Sequence, residues 1–116
     1  GLKEALSEIP KIKEKFWNNI SIPGSEKDVN QELEKALRIK DFIELAELMA
    51  YDALDRKESC GAHFREEFQT DENEAERNDE DYKYVAAWDY SEGENPKLFK
   101  EQLKYKNVKL KTRSYK

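Results

Sequence analysis

Apolar residues recur at spacings of three and four positions from residue 2 to residue 54, and this pattern constrains the fold more than any other feature. Such spacing places apolar side chains on one face of an α-helix. Hydrophobic residues make up only 37% of the 116 residues and charged residues 41%, so the chain cannot bury every element on two sides. We therefore expect one modest core made by amphipathic helices, with much solvated surface.

Two helices are predicted in this region. The first covers residues 2 to 20, with a kink or restart at Pro10, because proline lacks the amide hydrogen that continues a helix. The second begins with Ser25 as its N-cap and runs to about Lys57, and Gly61 ends it as a C-terminal glycine.

The C-terminal part of the chain predicts a small antiparallel β segment. Residues 66 to 81 lack periodicity and are expected to form an exposed loop. A strand is predicted over 84 to 90, a turn over 91 to 96, and a returning strand over 103 to 110, where apolar and polar residues alternate. The predicted fold class is mainly α, a long helical hairpin followed by this β segment.

The net charge of −5 is unevenly distributed along the chain. Nine acidic residues and one basic residue lie between Glu66 and Asp81, and eight basic residues and one acidic residue lie between Lys97 and Lys116. We expect these two segments to attract each other. The lysines of the tail alternate with apolar residues, which favours a strand with one solvated face over a nucleic-acid-binding tail, so no nucleic-acid partner is expected.

The stretch RKESCGAHFREEF, residues 56 to 68, concentrates the reactive side chains of the chain. Cys60 and His63 have the spacing of half a zinc site or of a nucleophilic pair, but the chain has no other cysteine or histidine to complete a zinc set. The simplest interpretation is a helix terminus whose polar side chains cap and dock. Arginine and glutamate side chains give directional bonds, and we expect their partner surface to lie outside this chain.

This stretch also resembles the Arg-x-Glu-Ser-Arg-Gly-Ala-His-x-Arg-x-Asp signature of the flavoprotein subunits of succinate dehydrogenase and fumarate reductase, in its Bacteroidetes-type form. Residues 44 to 54 resemble the helix that precedes the signature there. Residues 77 to 82 and 111 to 115 are similar to the stretches that lead into the final strands and end the family's chains. Cys60 departs from the signature, because many members have arginine at that position.

The resemblance implies a place in the C-terminal domain of such a subunit. In the family this domain is a three-helix, spectrin-repeat-like bundle, and its first helix would lie before Gly1. Residues 1–65 would form the helical hairpin of that domain, and residues 66–116 its acidic loop and β-strand tail.

The resemblance also implies an activity for the parent protein. It would interconvert succinate and fumarate with FAD and pass electrons to an iron–sulfur subunit, in the tricarboxylic acid cycle or anaerobic respiration. It would be cytoplasmic and peripheral to the inner membrane through its complex. FAD would be bound by upstream domains, so neither a cofactor nor a catalytic residue nor a metal site is expected in this segment.

The signature residues are expected to dock this segment onto the FAD-binding and capping domains of the same polypeptide, and they are Arg56, Glu58, Ser59, Gly61, His63 and Arg65. Replacing Arg56 or Arg65 by alanine is accordingly expected to leave the stability of the segment almost unchanged. Two alternatives remain open. They are the similar domain of an L-aspartate oxidase-like flavoenzyme and a stand-alone helical interaction module.

An apolar seam is expected on the second helix, around Leu33, Leu37, Phe42 and Leu45, where a third helix would pack. Because burial of apolar surface is favourable, by about 25 cal/mol per Å², the segment is expected to self-associate.

Overall fold

The computed structural model of the chain describes residues 1–25, 27–89, 95–112 and 114. It is mainly helical, with a small two-stranded antiparallel sheet near the C-terminus, which confirms the predicted fold class. The elements are α1 (Leu2–Asn19), α2 (Gln31–Asp55), α3 (Asp79–Tyr82), β1 (Tyr84–Asp89) and β2 (Lys97–Gln102). The chain forms two compact units, Gly1–Leu54 and Asp55–Lys116.

Helix α1 is continuous from Leu2 to Asn19 and contains Pro10 in its interior. The expected restart at Pro10 is wrong. The half-buried face of the helix continues across the proline, from Ile9 to Lys13 and Phe16. The missing backbone hydrogen bond at Pro10 therefore does not end the helix.

Helix α2 begins later than predicted, after Asn30 and not after Ser25. The Oδ1 atom of Asn30 accepts hydrogen bonds from the backbone N–H groups of Glu32 and Leu33, at 3.1 and 3.2 Å, as an N-cap side chain does. Its Nδ2 donates to the carbonyl oxygen of Pro23 at 3.1 Å, which fastens the preceding loop to the helix. Ser25 instead accepts from the N–H of Lys27 in a local turn.

The first unit buries little apolar surface. Within the described residues of the two helices, Ala36 and Ala50 of α2 are buried and no side chain of α1 is. The helices meet through the ion pair of Lys13 with Glu44, at 3.6 Å, and enclose a small apolar indentation of about 190 Å³. Neither helix, among the residues described, is long and apolar enough to cross a membrane.

The apolar seam predicted on α2 is exposed. Leu33, Leu37, Phe42 and Leu45 have between 45% and 62% of their surface accessible, and Met49 reaches 63%. Three of these side chains, Phe42, Leu45 and Met49, recur at helical spacing and form one stripe.

The sheet pairs β1 with β2 in antiparallel register, from Tyr84 opposite Gln102 to Asp89 opposite Lys97. The first predicted strand is confirmed, but the returning strand over 103–110 is wrong, since β2 lies at Lys97–Gln102. Alternation of apolar and polar residues misled the prediction, because a strand with most of its side chains exposed, like β2, does not require alternation. The turn predicted over 91–96 lies largely outside the described residues.

The acidic stretch is more ordered than the predicted loop. Residues 68 to 76 form a small hairpin, in which Gln69 bridges to Ala75 and the N–H of Glu76 donates to the carbonyl oxygen of Phe68 at 3.2 Å. Asn73 adopts a left-handed φ of 62° at its tip, a conformation that asparagine tolerates. Backbone pairing therefore shapes this stretch despite its lack of apolar periodicity.

Disrupting the exposed stripe is expected to weaken self-association. The double change Phe42→Glu and Leu45→Glu should weaken association at least about tenfold, because burying one such side chain contributes roughly 1.5 kcal/mol or more. Light scattering of the chain over a concentration series measures this. The matched control, Asn18→Glu with Gln31→Glu, adds the same charge at exposed helix positions and should change nothing. A strictly monomeric unmodified chain would contradict the prediction.

Candidate functional site

The carboxylate of Glu58 lies inside the second unit and has only 3% of its surface exposed. Its Oε1 accepts a hydrogen bond from Arg56 Nη1 at 2.7 Å, and its Oε2 accepts one from the backbone N–H of Asn78 at 2.8 Å. Both oxygens are thus paired, which offsets the cost of burying the charge. We call Arg56, Glu58 and Asn78 the Glu58 clamp, and it joins the chain after α2 to the start of α3.

Arg56 extends this clamp to the sheet. Its Nη1 also donates to the carbonyl oxygen of Tyr82 at 3.2 Å. Its guanidinium carbon lies 5.0 Å from the ring centroid of Tyr84 and 5.7 Å from that of Tyr82, within cation–π range. Tyr84 is the first residue of β1 and is buried, so one guanidinium group holds Glu58, α3 and β1 together.

Side chains of the second unit also cap the end of α2. The carbonyl oxygen of Asp55 accepts from the hydroxyl of Tyr82 at 3.3 Å. The carbonyl oxygen of Arg56 accepts from His63 Nε2 at 3.1 Å and from Arg65 Nη1 at 3.2 Å, so the His63 ring carries a hydrogen on Nε2. The last carbonyls of a helix have no partner within it, and these contacts supply one. The predicted capping of a helix terminus is confirmed.

Lys100 of β2 lies against the same helix end. Its Nζ lies 3.7 Å from Asp55 Oδ2 and 4.5 Å from the ring centroid of Tyr84. Hydrogen bonding to Tyr84, followed by the charge of Asp55, raises the pKa of the Lys100 amine above its ordinary value. The two strands are therefore both connected to the residue that ends α2.

Ser59 fixes the hairpin that follows the clamp. It is fully buried, and its N–H donates to the carbonyl oxygen of Glu76 at 2.8 Å. Its Oγ accepts from the N–H of Arg65 at 2.8 Å and donates to the carbonyl oxygen of Arg65 at 3.2 Å. One hydroxyl thus satisfies both backbone groups of Arg65.

Gly61 does not end the helix as predicted, because α2 stops at Asp55. Cys60 and His63 exchange backbone hydrogen bonds of 2.8 and 3.1 Å across a two-residue turn made by Gly61 and Ala62. Gly61 has a φ of +61°, whereas Ala62 does not have a positive φ, a pattern typical of a type II′ hairpin turn. The glycine of the signature therefore serves a tight turn.

The basic tail contacts the acidic stretch. Arg77 binds Asp79 through Nε at 3.1 Å and through Nη2, and its Nη1 donates to the carbonyl oxygen of Lys111 at 3.0 Å. Ser114 Oγ donates to Glu74 Oε1 at 2.9 Å. The hydrogen bonds with Asp79 raise the pKa of Arg77 above its ordinary value. The two segments meet through these bonds.

The polar groups of the signature turn out to have partners within this chain. Arg56, Glu58 and Ser59 bond to one another and to residues 65 to 82. Their expected role in docking onto another domain stays a prediction. The expectation that alanine at Arg56 would leave stability unchanged loses its basis, since the change would leave the Glu58 carboxylate buried without its cation.

The outward face of the signature carries different residues. Cys60, Gly61, Ala62 and Phe64 are exposed, and Phe64 has 51% of its surface accessible. Nearby in sequence, Lys57, Glu67 and Phe68 contribute to an open polar groove of about 570 Å³, whose other wall is residues 76 to 80. This face is the part of the signature that can still contact another surface.

Cys60 and His63 are joined through their backbones, and the His63 ring is used on Arg56. Within the part of the chain that the structure describes, no three histidine, cysteine or acidic side chains come together as a set that could hold a metal ion. The geometry therefore supports a turn at these two residues.

The sequence matches the family described as "Fumarate reductase flavoprotein C-term" over residues 1–115. The chain belongs to this family. It is also 38% identical, over 68 residues, to an uncharacterized FAD-dependent oxidoreductase of Methanocaldococcus jannaschii. That similarity covers 59% of this chain and 12% of the archaeal protein, so the chain matches only a small part of that relative's length.

Membership implies a parent protein that binds FAD, so we tested whether residues of this chain fit the cofactor. The four glycines are dispersed and form no glycine-rich phosphate loop. The guanidinium groups of Arg56 and Arg65 contact Glu58, Glu67 and backbone carbonyls of this unit. These residues do not fit an FAD site.

Sequence reasoning identified the signature but missed its partners. Asn78, Tyr82, Tyr84 and Asp55 complete the site, and none of them was singled out as a site residue. One signal was present, because residues 77 to 82 had been recognised as similar to a family stretch. Two family-like segments far apart in sequence indicate a contact between them, and the bond from Asn78 to Glu58 is that contact.

Removing the Glu58 carboxylate is expected to destabilise the chain by about 3 kcal/mol, because the part-buried Arg56 guanidinium and the N–H of Asn78 would lose their acceptor. Arg56→Ala should fall in the same range. Urea unfolding followed by circular dichroism measures both. Glu67→Ala is the control, since Glu67 is mostly exposed and pairs with Arg65 of the same signature. Equal stability of Glu58→Ala and Glu67→Ala would refute the clamp.

Proposed function

We propose that this chain is the C-terminal domain of a flavoprotein that interconverts succinate and fumarate with FAD and passes electrons to an iron–sulfur subunit. In this proposal the domain buttresses the FAD-binding domain and has no catalytic site of its own. Residues 1–65 supply its helical part and residues 66–116 its loop and strand tail. The parent is peripheral to the inner membrane through its complex.

The observation that carries the proposal is the Glu58 clamp within the signature. The clamp holds a hairpin whose polar residues face inward and whose tip, at Gly61 and Ala62, faces outward. A rigid, outward-facing turn suits docking onto a second domain, because little conformational entropy is lost when it binds. Membership of a flavoprotein C-terminal family supports the FAD-binding domain as that second domain.

The signature residues take two roles in this docking. Arg56, Glu58 and Ser59 position the hairpin from inside, and Gly61 permits the turn. His63 and Arg65 hold the hairpin to the carbonyl oxygen of Arg56, within the second unit. The contact surface itself is the exposed set, Ala62 and Phe64 above all.

Docking through the turn is tested in the full-length parent protein. Ala62→Glu should increase the rate of tryptic cleavage between domains at least about tenfold, because a carboxylate would be buried in the interface without a partner. Ala87→Glu is the matched control, because Ala87 is also an exposed alanine and the change adds the same charge, but on β1. Both variants of the isolated chain should unfold at the same temperature as the unmodified chain. Equal cleavage of the two parent variants would sink the docking role.

The activity is tested on the native protein. An antibody raised against this chain is used to blot membrane and soluble fractions, and the same gel is viewed under ultraviolet light. We expect a band much larger than 13.7 kDa in the membrane fraction. It should fluoresce from covalent flavin, and the immunocaptured protein should interconvert succinate and fumarate. A large soluble band without covalent flavin would favour the L-aspartate oxidase-like alternative. A lone band near 13.7 kDa would overturn the proposal in favour of a stand-alone helical interaction module.

A further inference from the structure

The segment from Leu103 to Lys111 has an unusual composition for an irregular stretch. Its nine residues are four lysines, four apolar residues and one asparagine, and it contains no acidic residue. The structure assigns it no strand, contrary to prediction. Three of its apolar side chains are exposed, Tyr105 at 47%, Val108 at 66% and Leu110 at 39%.

This segment is fastened at both ends. The N–H of Leu103 donates to the carbonyl oxygen of Lys83 at 3.1 Å, which continues the sheet pairing by one bond. The carbonyl oxygen of Lys111 accepts from Arg77 Nη1 at 3.0 Å, and Arg77 is itself fixed by Asp79. The chain between these two bonds is therefore an arch anchored to the second unit, and we call residues 103–111 the basic arch.

A recess of about 470 Å³ opens at the basic arch. Apolar side chains of the arch line it together with three lysines, and the lining residues are Lys83, Leu103, Lys104, Tyr105, Val108, Lys109 and Leu110. The recess thus offers apolar contact and a cluster of positive charge in one place. Such a volume accommodates one or two large side chains.

We propose that the recess of the basic arch binds an acidic polypeptide segment that carries apolar side chains. Charge complementarity requires a negatively charged partner, because Lys83, Lys104 and Lys109 are all positively charged and the arch contains no acidic residue. The apolar lining requires a side chain that fills the recess. This inference goes beyond the proposed function and does not depend on it.

A polypeptide fits this site better than a lipid surface. Apolar residues that enter a bilayer project beyond the lysines around them. Here the apolar side chains form the wall of a recess, with Lys83 of the preceding segment in the same lining. The recess is shallow and open, and its size suits a side chain that protrudes from a polypeptide.

The test uses the full chain and a fluorescein-labelled peptide of alternating glutamate and leucine, followed by fluorescence anisotropy. A peptide of alternating glutamate and serine is the apolar control, and vesicles of equal parts phosphatidylserine and phosphatidylcholine are the lipid arm. The test variant combines Lys83→Gln, Lys104→Gln and Lys109→Gln. Its matched control combines Lys3→Gln, Lys15→Gln and Lys27→Gln, which removes the same charge at exposed positions of the first unit.

The test variant is expected to bind the glutamate–leucine peptide at least about tenfold more weakly than the unmodified chain, while the control variant changes less than about twofold. Val108→Ser should weaken binding of this peptide without changing that of the glutamate–serine peptide. Binding should also fall as salt is raised. Equal losses in both lysine variants would overturn the proposal, because they would indicate only general attraction. Binding to vesicles without binding to the peptide would overturn it in favour of a lipid surface.

Discussion

The buried carboxylate of Glu58 is the constraint on which the second unit depends. A charge with 3% exposure persists only if each of its oxygens has a donor, and the donors come from Arg56 and from the backbone of Asn78. Since Asn78 also caps α3 through its side chain, and Arg56 also contacts Tyr84, the carboxylate indirectly fixes where α3 and β1 begin. The positions of α3 and β1 beside residues 56 to 58 thus depend on the bonds that satisfy one buried side chain.

The same constraint explains the chemistry of the signature. Its charged and hydroxyl residues serve local geometry, because Ser59 completes the hairpin and His63 and Arg65 cap Arg56. Cys60 stands where the resemblance expects arginine, and its side chain is exposed on the hairpin. Replacing that arginine therefore removes no contact of the clamp.

Periodicity predicted those parts of the fold where one face packs and the other is solvated. Helix α1 and strand β1 were found almost as predicted for this reason, since residues 84, 86 and 88 face inward in alternation.

The start of α2 was not predictable in the same way. Ser25 and Asn30 are both good N-caps, and the bond from Asn30 to Pro23 that distinguishes them depends on how the loop folds. Strand β2 was missed because pairing with β1, and not a pattern of its own, makes it a strand. The intrachain partners of the signature were not predictable, because a sequence of arginines and glutamates does not reveal which of their bonds are made within the chain.

The two units stabilise themselves by different interactions, and this difference decides where partners matter. The second unit satisfies the buried side chains of Glu58 and Ser59 internally, and these bonds hold its hairpin. The first unit leaves a stripe of large apolar side chains on α2 in water, and burying that stripe against another surface would be favourable. We therefore expect α1 and α2 to gain stability when the stripe is covered. In the proposed docking, the preformed surface is supplied by the residues that follow Asp55.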